Sequence, residues 1–244
     1  MDSAEPDCGK AFFGRAGLIL GDDTMDVLAS ARVAVFGLGG VGGWCAEALV
    51  RTGVGTLMLV DRDCVEASNV NRQVMATSRT IGRPKADVLA DRLREINPSV
   101  AVEPRVEAYA ADTADTFALE RFDYVIDAID SLDDKIALIR HALSIPSLTL
   151  FSSMGAAFRL DPLQVRTSPF RRVEGDGLAR AMRRRFRETG GIPERDFTCV
   201  WSAERRREGA SGEGRAFGSL VPVTGTFGFT LASLVAMSAL SRSR

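Results

Sequence analysis

The chain has 244 residues, of which 45% are hydrophobic, and a formal net charge of −1 at pH 7. This length is enough to bury a substantial core, and the near-neutral charge excludes a strong general attraction to DNA or to anionic membranes. One region is locally basic, because residues 170–215 contain 12 Arg against 8 acidic side chains. The four cysteines form no C-x-x-C pair, which argues against a zinc ribbon and indicates reduced thiols in a cytoplasmic protein.

Strand and helix patterns alternate through the first half of the chain. Apolar runs predict strands at residues 32–36, 56–60, 100–106, 123–129 and 147–151, and amphipathic stretches predict helices at residues 41–52, 84–96 and 133–143. Such alternation predicts an α/β fold, with a Rossmann-like, mostly parallel sheet and helices on both faces. We expect a single domain over residues 1–244, with a nucleotide-binding half at about 25–157 and a substrate or partner half at about 158–244.

The second half has a different character. Residues 158–168 predict a pair of strands that extends the same sheet, residues 177–188 a basic amphipathic helix, and residues 208–214 a mobile loop. Residues 218–240 are uncharged and long enough to span a bilayer. Because Pro222, Gly225 and Gly228 interrupt this stretch, a buried strand followed by a helix is favoured over a membrane anchor.

A glycine-rich turn follows the first predicted strand. Gly37 permits a tight turn, Gly39 allows the backbone to approach a phosphate, and Gly42 allows the next helix to pack closely. Gly40 adds a fourth glycine, and Asp61 ends the next predicted strand at the position where an acid binds ribose hydroxyls. The helix N-terminus adds N–H donors for an anion. These features predict a nucleotide site and leave open whether it binds a dinucleotide or ATP.

Cationic and amide side chains follow the second predicted strand. Arg72 can bind a phosphate through its planar guanidinium, and Lys85 supplies a point charge, as a triphosphate site requires. Asn69 belongs to the same segment, and Asp130 closes the predicted strand at residues 123–129, where a carboxylate beside phosphates can hold Mg²⁺. Asp127 is expected inside the sheet or on its opposite side. The set favours ATP over a nicotinamide dinucleotide.

These motifs, taken together, resemble the ubiquitin-activating-enzyme-like adenylating superfamily of the ThiF and MoeB type. The resemblance covers roughly residues 10–160 and is carried by the motifs that begin at residues 37, 61, 69, 82, 94 and 127. Further stretches at residues 46–55, 161–165, 199–204 and 226–229 resemble the tRNA threonylcarbamoyladenosine dehydratase branch. The absence of paired zinc cysteines favours that branch over activators of sulfur-carrier proteins.

The resemblance implies an AMP-forming enzyme that uses ATP and Mg²⁺ to activate a carboxylate on modified tRNA and then cyclises the product. ATP would be bound by Gly37, Gly39, Gly40, Gly42, Asp61, Asp63, Asn69, Arg72 and Lys85, with Asp130 as the Mg²⁺ ligand and Arg72, Lys85 and Asp130 as catalytic residues. It also implies a homodimer and allows a cysteine-desulfurase or sulfur-acceptor partner. The N-terminal segment departs from the family pattern, since both expected arginine positions are apolar here and only Arg15 is near.

Two further features allow more than one interpretation. Cys199 is flanked by Arg195 and Arg205, and a cationic environment can activate a thiol, although a structural thiol is the more common case. The arginine runs at residues 183–185 and 205–207 could contact tRNA phosphates or could simply be solvated. Activation of a ubiquitin-like sulfur carrier, a nicotinamide oxidoreductase and a non-catalytic scaffold are the competing functions.

Overall fold

A seven-stranded sheet forms the centre of the protein in the computed structural model, which describes residues 8–205 and 218–243. The strands are β1 (Arg32–Phe36), β2 (Thr56–Val60), β3 (Ala101–Arg105), β4 (Tyr124–Asp127), β5 (Thr149–Ser153), β6 (Val165–Pro169) and β7 (Thr198–Ser202). Their order across the sheet is β3-β2-β1-β4-β5-β7-β6, and only the β6–β7 pair is antiparallel. The predicted mostly parallel sheet, extended by C-terminal strands, is therefore confirmed.

Helices cover both faces of this sheet. They are α1 (Cys8–Leu20), α2 (Asp22–Ser30), α3 (Gly42–Thr52), α4 (Lys85–Ile96), α5 (Leu132–Ser144), α6 (Gly177–Glu188) and α7 (Val221–Arg242). Core residues of α2, α3, α4 and α7 share one apolar cluster, and those of α5 and α6 share a second. The strand β1 shows why two clusters form: Val33 and Val35 face the first, whereas Ala34 and Phe36 face the second. Burial on both faces accounts for continuous apolar strands without polar alternation.

The order of the strands reverses between β1 and β4. From β1 the chain builds outward through β2 and β3, and it then returns to place β4 on the other side of β1. In open α/β sheets, ligands bind at the carboxyl ends of the strands beside such a switch point. The loops that follow β1 and β4 are therefore the two walls of the expected binding crevice.

The C-terminal apolar stretch is one continuous helix, so the predicted strand before it is wrong. Pro222 lies in the first turn of α7, where its missing N–H costs nothing. Gly228 brings α7 close to α3, because a Cβ at this position would lie 2.5 Å from the Val41 carbonyl oxygen and 2.8 Å from the Trp44 side chain. By length and composition α7 could cross a membrane, which is weak evidence for one helix, and half of its most apolar stretch is buried inside the protein.

Two other expectations for the second half need correction. Residues 158–168 do not form a strand pair: only β6 is a strand there, preceded by a single 3₁₀ turn at Pro162–Gln164. The partner of β6 is β7, which lies in a stretch where no strand was predicted because its flanks are rich in Gly and charge. The predicted loop at residues 208–214 falls outside the described residues. The boundary between the two halves of the chain stays a prediction.

Candidate active site

The glycine-rich turn after β1 is held against the loop after β4. Gly37 has a φ of 82°, and a Cβ there would lie 2.6 Å from the Ala128 carbonyl oxygen. At Gly42 a Cβ would lie 1.9 Å from the Gly37 carbonyl oxygen, so no side chain fits at either position. A Cβ at Gly39, by contrast, would meet nothing within 4 Å, so this residue faces open space. The turn is therefore closed towards the protein and open on the side from which a phosphate would approach.

Asp61, at the end of β2, is bonded to the same turn. Its Oδ2 accepts a hydrogen bond from the Leu38 N–H (2.7 Å), and its Oδ1 accepts one from the Asp63 N–H (2.9 Å). Burial raises the pKa of the Asp61 carboxyl above its ordinary value, while the nearby Lys85 ammonium opposes that shift. Asp61 thus ties the turn to β2 and stands where its motif placed it.

Lys85 is buried at the start of α4 and points towards two carboxylates. Its Nζ lies 3.0 Å from Asp63 Oδ2 and 3.9 Å from Asp61 Oδ1. Only 6% of Lys85 is exposed, so the ammonium is shielded from water. A cation shielded in this way attracts a nearby phosphate more strongly than a solvated one, because the low dielectric of the interior strengthens the interaction.

Residues 69–73 form a turn that borders the glycine-rich turn. Asn69 and Glu66 cap the short 3₁₀ helix Ala67–Asn69 reciprocally, which orders this segment. The Arg72 side chain passes the turn, because a Cβ at Gly40 would lie 3.2 Å from Arg72 Cγ. Its Nη1 donates to the Ser68 carbonyl oxygen (2.8 Å) and to Asn71 Oδ1 (2.9 Å). These are neutral acceptors, so the guanidinium of Arg72 has no ion-pair partner among the described residues.

Asp130 lies in the loop after β4, on the opposite wall of the crevice. It is exposed, and within residues 8–205 and 218–243 no hydrogen bond or ion pair occupies its carboxylate. Asp127, three residues earlier, is 0% exposed, and its Oδ2 lies 2.7 Å from the Lys135 Nζ. The two acids therefore differ in their surroundings. Asp127 is paired with Lys135 inside the sheet, as expected from its position, and Asp130 remains available to a ligand.

Together these elements form a site that fits a nucleoside triphosphate with a cation bound to its phosphates. The open face of Gly39, the buried Lys85 and the unpaired charge of Arg72 are suited to phosphate oxygens. No group of three or more metal-ligating side chains occurs in the described part of the chain. A single carboxylate at Asp130 suits Mg²⁺ nevertheless, because Mg²⁺ in phosphate sites usually takes one or two carboxylates and completes its shell with phosphate oxygens and water.

A model of the ThiF family matches residues 14–240, which is most of the chain and includes every residue of this site. The chain belongs to the ThiF family.

Several curated members of related groups are similar over most of this ThiF-family chain. It is 33% identical to a tRNA threonylcarbamoyladenosine dehydratase of Escherichia coli (strain K12), over 93% of this chain and 92% of that protein. It is 39% identical to the enzyme of the same name from Bacillus subtilis (strain 168), over 73% of this chain and 70% of that protein. A molybdopterin-synthase adenylyltransferase of E. coli (strain K12) is 31% identical over 73% of this chain and 66% of that protein.

Solved structures agree with these relatives. The crystal structure of E. coli tRNA N6-threonylcarbamoyladenosine dehydratase in complex with ATP superposes with a TM-score of 0.90 at 32% identity, and 98% of each chain is covered. The same enzyme in complex with AMP gives a TM-score of 0.90. The Rossmann-like fold predicted from the sequence is thus shared with an ATP-binding relative along nearly the whole chain.

Cys199 does not have the environment expected of a nucleophile. It lies in β7 and is 0% exposed, and burial raises the pKa of its thiol well above the ordinary value, although the Lys135 ammonium opposes that shift. Arg195 does not activate it, because this guanidinium donates to the carbonyl oxygens of Ile145 and Leu148. A catalytic role for Cys199 is therefore not supported, since the reactive form of a cysteine is an accessible thiolate.

We expect the Cys199→Ala variant to keep the ATP turnover of the wild type. In the wild-type protein, Cys64 serves as an internal reference because it is exposed whereas Cys199 is buried. Brief treatment with iodoacetamide should alkylate Cys64 and leave Cys199 unmodified, as measured by peptide mass spectrometry. Preferential alkylation of Cys199, or loss of turnover in Cys199→Ala with an unchanged melting temperature, would show instead that Cys199 acts as a nucleophile.

Lys135 is a residue near the site that the sequence did not reveal. It is 0% exposed, and besides its ion pair with Asp127 its Nζ donates to the Ile129 carbonyl oxygen (3.1 Å). Asp127 accepts from the Ile129 N–H (3.2 Å) and from Ser152 Oγ (2.6 Å). The pair therefore holds both ends of residue Ile129, directly before Asp130. The sequence gives no signal for such a pair, because a Lys that follows two Asp residues in a predicted helix is expected to be exposed.

Proposed function

We propose that this protein is an ATP-dependent tRNA threonylcarbamoyladenosine dehydratase. The observation that carries the proposal is the meeting of a phosphate-accepting turn, two cationic side chains and an unpaired carboxylate at the β1–β4 switch point. Support also comes from relatives of that name, which match this chain over most of their length. The relative whose crystal structure superposes on this chain was solved with ATP.

The reaction has two steps. A carboxylate oxygen of the threonylcarbamoyl group attacks the α-phosphorus of ATP, and pyrophosphate leaves as the acyl-adenylate forms. An atom of the same substituent then attacks the activated carbonyl carbon, AMP leaves, and a ring closes. ATP becomes AMP and pyrophosphate, and the substrate loses the elements of one water molecule. The protein's task is to hold the two reacting groups in line and to stabilise negative charge on the phosphoryl oxygens.

Each site residue takes a distinct part in this scheme. The N–H groups of the turn at Gly39 and Gly40 bind phosphate oxygens, and Asp61 orients the turn and accepts from the ribose. Arg72 and Lys85 exchange their present acceptors for phosphate oxygens, which costs little because both charges are already partly desolvated. Asn69 shapes the segment that carries Arg72, and Asp63 holds Lys85 until ATP binds. When Mg²⁺ is bound, Asp130 supplies its protein ligand and the ion neutralises phosphate charge.

A basic face of α6 suits a tRNA substrate. On α6, Arg180 and Arg187 are exposed on the same side of the helix, which is the side opposite the buried Met182 and Phe186. Not all arginines of this helix are available: Arg183 donates to two backbone carbonyl oxygens and Arg185 pairs with Asp133. Free arginines on one helix face can contact successive phosphates.

The proposal also includes a homodimer in the cytoplasm. Exposed apolar side chains on α1 and α7, including Leu18, Ile19, Phe229 and Met237, suit a homodimer interface. A cytoplasmic location follows from the tRNA substrate. The second candidate function is activation of the C-terminal carboxylate of a ubiquitin-like sulfur carrier. It is supported by the similarity to molybdopterin-synthase adenylyltransferase, which covers 73% of this chain against 93% for the E. coli dehydratase.

We expect the purified protein to convert ATP into AMP and pyrophosphate only when tRNA carrying threonylcarbamoyladenosine is present. The matched control is the same tRNA transcribed without the modification, which offers the phosphates but not the carboxylate. Pyrophosphate release is the measurement. Equal turnover with a carrier protein ending in Gly-Gly, together with none on modified tRNA, would replace this function by the second candidate.

A further inference from the structure

Arg159 is a buried arginine whose charge is poorly satisfied. Its side chain is 2% exposed, and the acid beside it in the described part of the chain is Asp176, with Nη2 3.7 Å from Oδ2, beyond hydrogen-bond distance. Nε and Nη1 are both buried and have no hydrogen-bond partner within residues 8–205 and 218–243. Three N–H donors of a buried cation are thus unused, an arrangement that is costly and rare unless a ligand completes it.

The position of Arg159 connects it to the ATP site. The loop that carries it leaves the carboxyl end of β5, which pairs with β4, so it begins beside the loop of Asp130. The Phe158 N–H donates to the Gly218 carbonyl oxygen (2.8 Å), and Asn71 Nδ2 donates to the next carbonyl oxygen, that of Ser219 (3.0 Å). The segment before α7 therefore bridges the Arg159 loop and the segment of Arg72.

Asp176 leaves the charge of Arg159 available to an anion. Its Oδ1 accepts from the Ala179 N–H (2.9 Å), so this carboxylate caps the N-terminus of α6. The positive end of the helix dipole offsets part of its negative charge. Asp176 can therefore orient the guanidinium without fully neutralising it.

The backbone of the loop is strained at Phe158. Its φ of 58° is the left-handed conformation, which an aromatic residue adopts at a cost. Such strain collects at ligand sites, where a change of backbone conformation on binding can relieve it. A ligand that reaches the buried guanidinium needs a local change of this kind.

We propose that Arg159 binds the carboxylate of the substrate before it attacks ATP. The inference rests on the proposed function, because it names the subsite for the group that is activated, but it extends to the second candidate function, whose substrate is also a carboxylate. A carboxylate supplies acceptors for the unused Nε and Nη1 donors and a counter-charge for the guanidinium. Asp176 lies beside the guanidinium as a partial counter-charge, with which the substrate carboxylate competes.

Binding of the free nucleoside N6-threonylcarbamoyladenosine and of its methyl ester, measured by titration calorimetry with the full-length protein, tests the proposal. The ester has the same shape without the charge. We expect the wild type to prefer the acid by about 10- to 100-fold, as for hydrogen bonds to a charged group. Arg159→Met should bind both equally, and Arg159→Lys should keep part of the preference.

Two matched variants separate ligand binding from a structural role. Asp176→Asn keeps the helix cap and removes the opposing charge, so it should keep the acid preference or increase it. Arg166→Met removes an exposed arginine of β6 and should behave as the wild type. If Arg159→Met fails to fold, as judged by its melting curve, Arg159→Lys decides, and an undiminished acid preference in that variant overturns the proposal. The same follows if Arg159→Met keeps the preference or if Asp176→Asn loses it.

A second ligand pair distinguishes failure of the proposal from failure of the proposed function. It consists of a peptide ending in Gly-Gly and the same peptide as its C-terminal amide. If the wild type discriminates only within this pair, and through Arg159, the carboxylate subsite stands and the tRNA assignment fails. If the wild type distinguishes acid from neutral partner in neither pair, the subsite is refuted even where ATP turnover on modified tRNA is observed.

Discussion

The Asp130→Asn variant is expected to retain its fold and its ATP binding and to lose pyrophosphate release by at least about a hundredfold, the usual cost of removing one electrostatic stabiliser of a transition state. The reason is its position: the Asp130 carboxylate is exposed at the switch point and engages no partner in the described residues. Its removal therefore breaks no contact of the folded protein. The measurement is ATP turnover with modified tRNA at several Mg²⁺ concentrations.

Asp133→Asn is the matched control for this variant. Asp133 lies in the first turn of α5, three residues away, and its carboxylate is paired with Arg185 (2.7 Å). The control should turn over ATP as the wild type does. Wild-type turnover by Asp130→Asn would show that Asp130 is not the Mg²⁺ ligand. An equal loss of turnover in both variants would indicate a general effect of charge at this edge of the sheet.

Of two alanine substitutions in the glycine-rich turn, only one should lower stability. Gly42→Ala places a Cβ 1.9 Å from the Gly37 carbonyl oxygen, a backbone atom that cannot move aside cheaply. We expect Gly42→Ala to lower the free energy of unfolding by at least about 1–3 kcal/mol, as overpacking does, and to abolish ATP binding. Gly39→Ala meets nothing within 4 Å, so its stability should match the wild type.

The Gly39→Ala variant isolates the binding role of the turn. Its added methyl group occupies the open side of the turn, where a phosphate is expected, so ATP affinity should fall about tenfold or more without unfolding. Thermal melting and ATP titration of both variants provide the measurement. Unchanged ATP affinity in Gly39→Ala would show that the phosphates do not lie on this turn, and an undisturbed melting temperature in Gly42→Ala would contradict the described turn geometry.

The sequence was most informative where a local pattern determines structure. The glycines directly follow β1, and Asp61 directly follows β2, so their spacing predicted that the acid meets the glycine-rich turn, as its hydrogen bond to Leu38 shows. The helix α6 was predicted with its observed bounds because its periodicity is strong. The motif that contains Asp130 is also a short stretch of sequence. It faces the glycine-rich turn because β4 lies beside β1 in the sheet.

Features that depend on distant contacts could not be predicted in this way. The strand β7 is recognisable only through its pairing with β5 and β6, since its flanks resemble loops. The helix α7 tolerates Gly228 because α3 needs that space, which a composition-based interpretation treats as an interruption. Lys135, Arg159 and Asp176 have a sequence context that indicates ordinary surface charges, so their buried ion pairs could not be predicted.

Nucleoside mass spectrometry of modified tRNA after incubation with ATP and the purified protein tests the central claim most directly. The account predicts that threonylcarbamoyladenosine is replaced by a product lighter by one water molecule, with one AMP formed per nucleoside converted. The Asp130→Asn protein should leave the nucleoside unchanged. Unaltered threonylcarbamoyladenosine with the wild-type protein, while a carrier ending in Gly-Gly becomes adenylated, would contradict the claim.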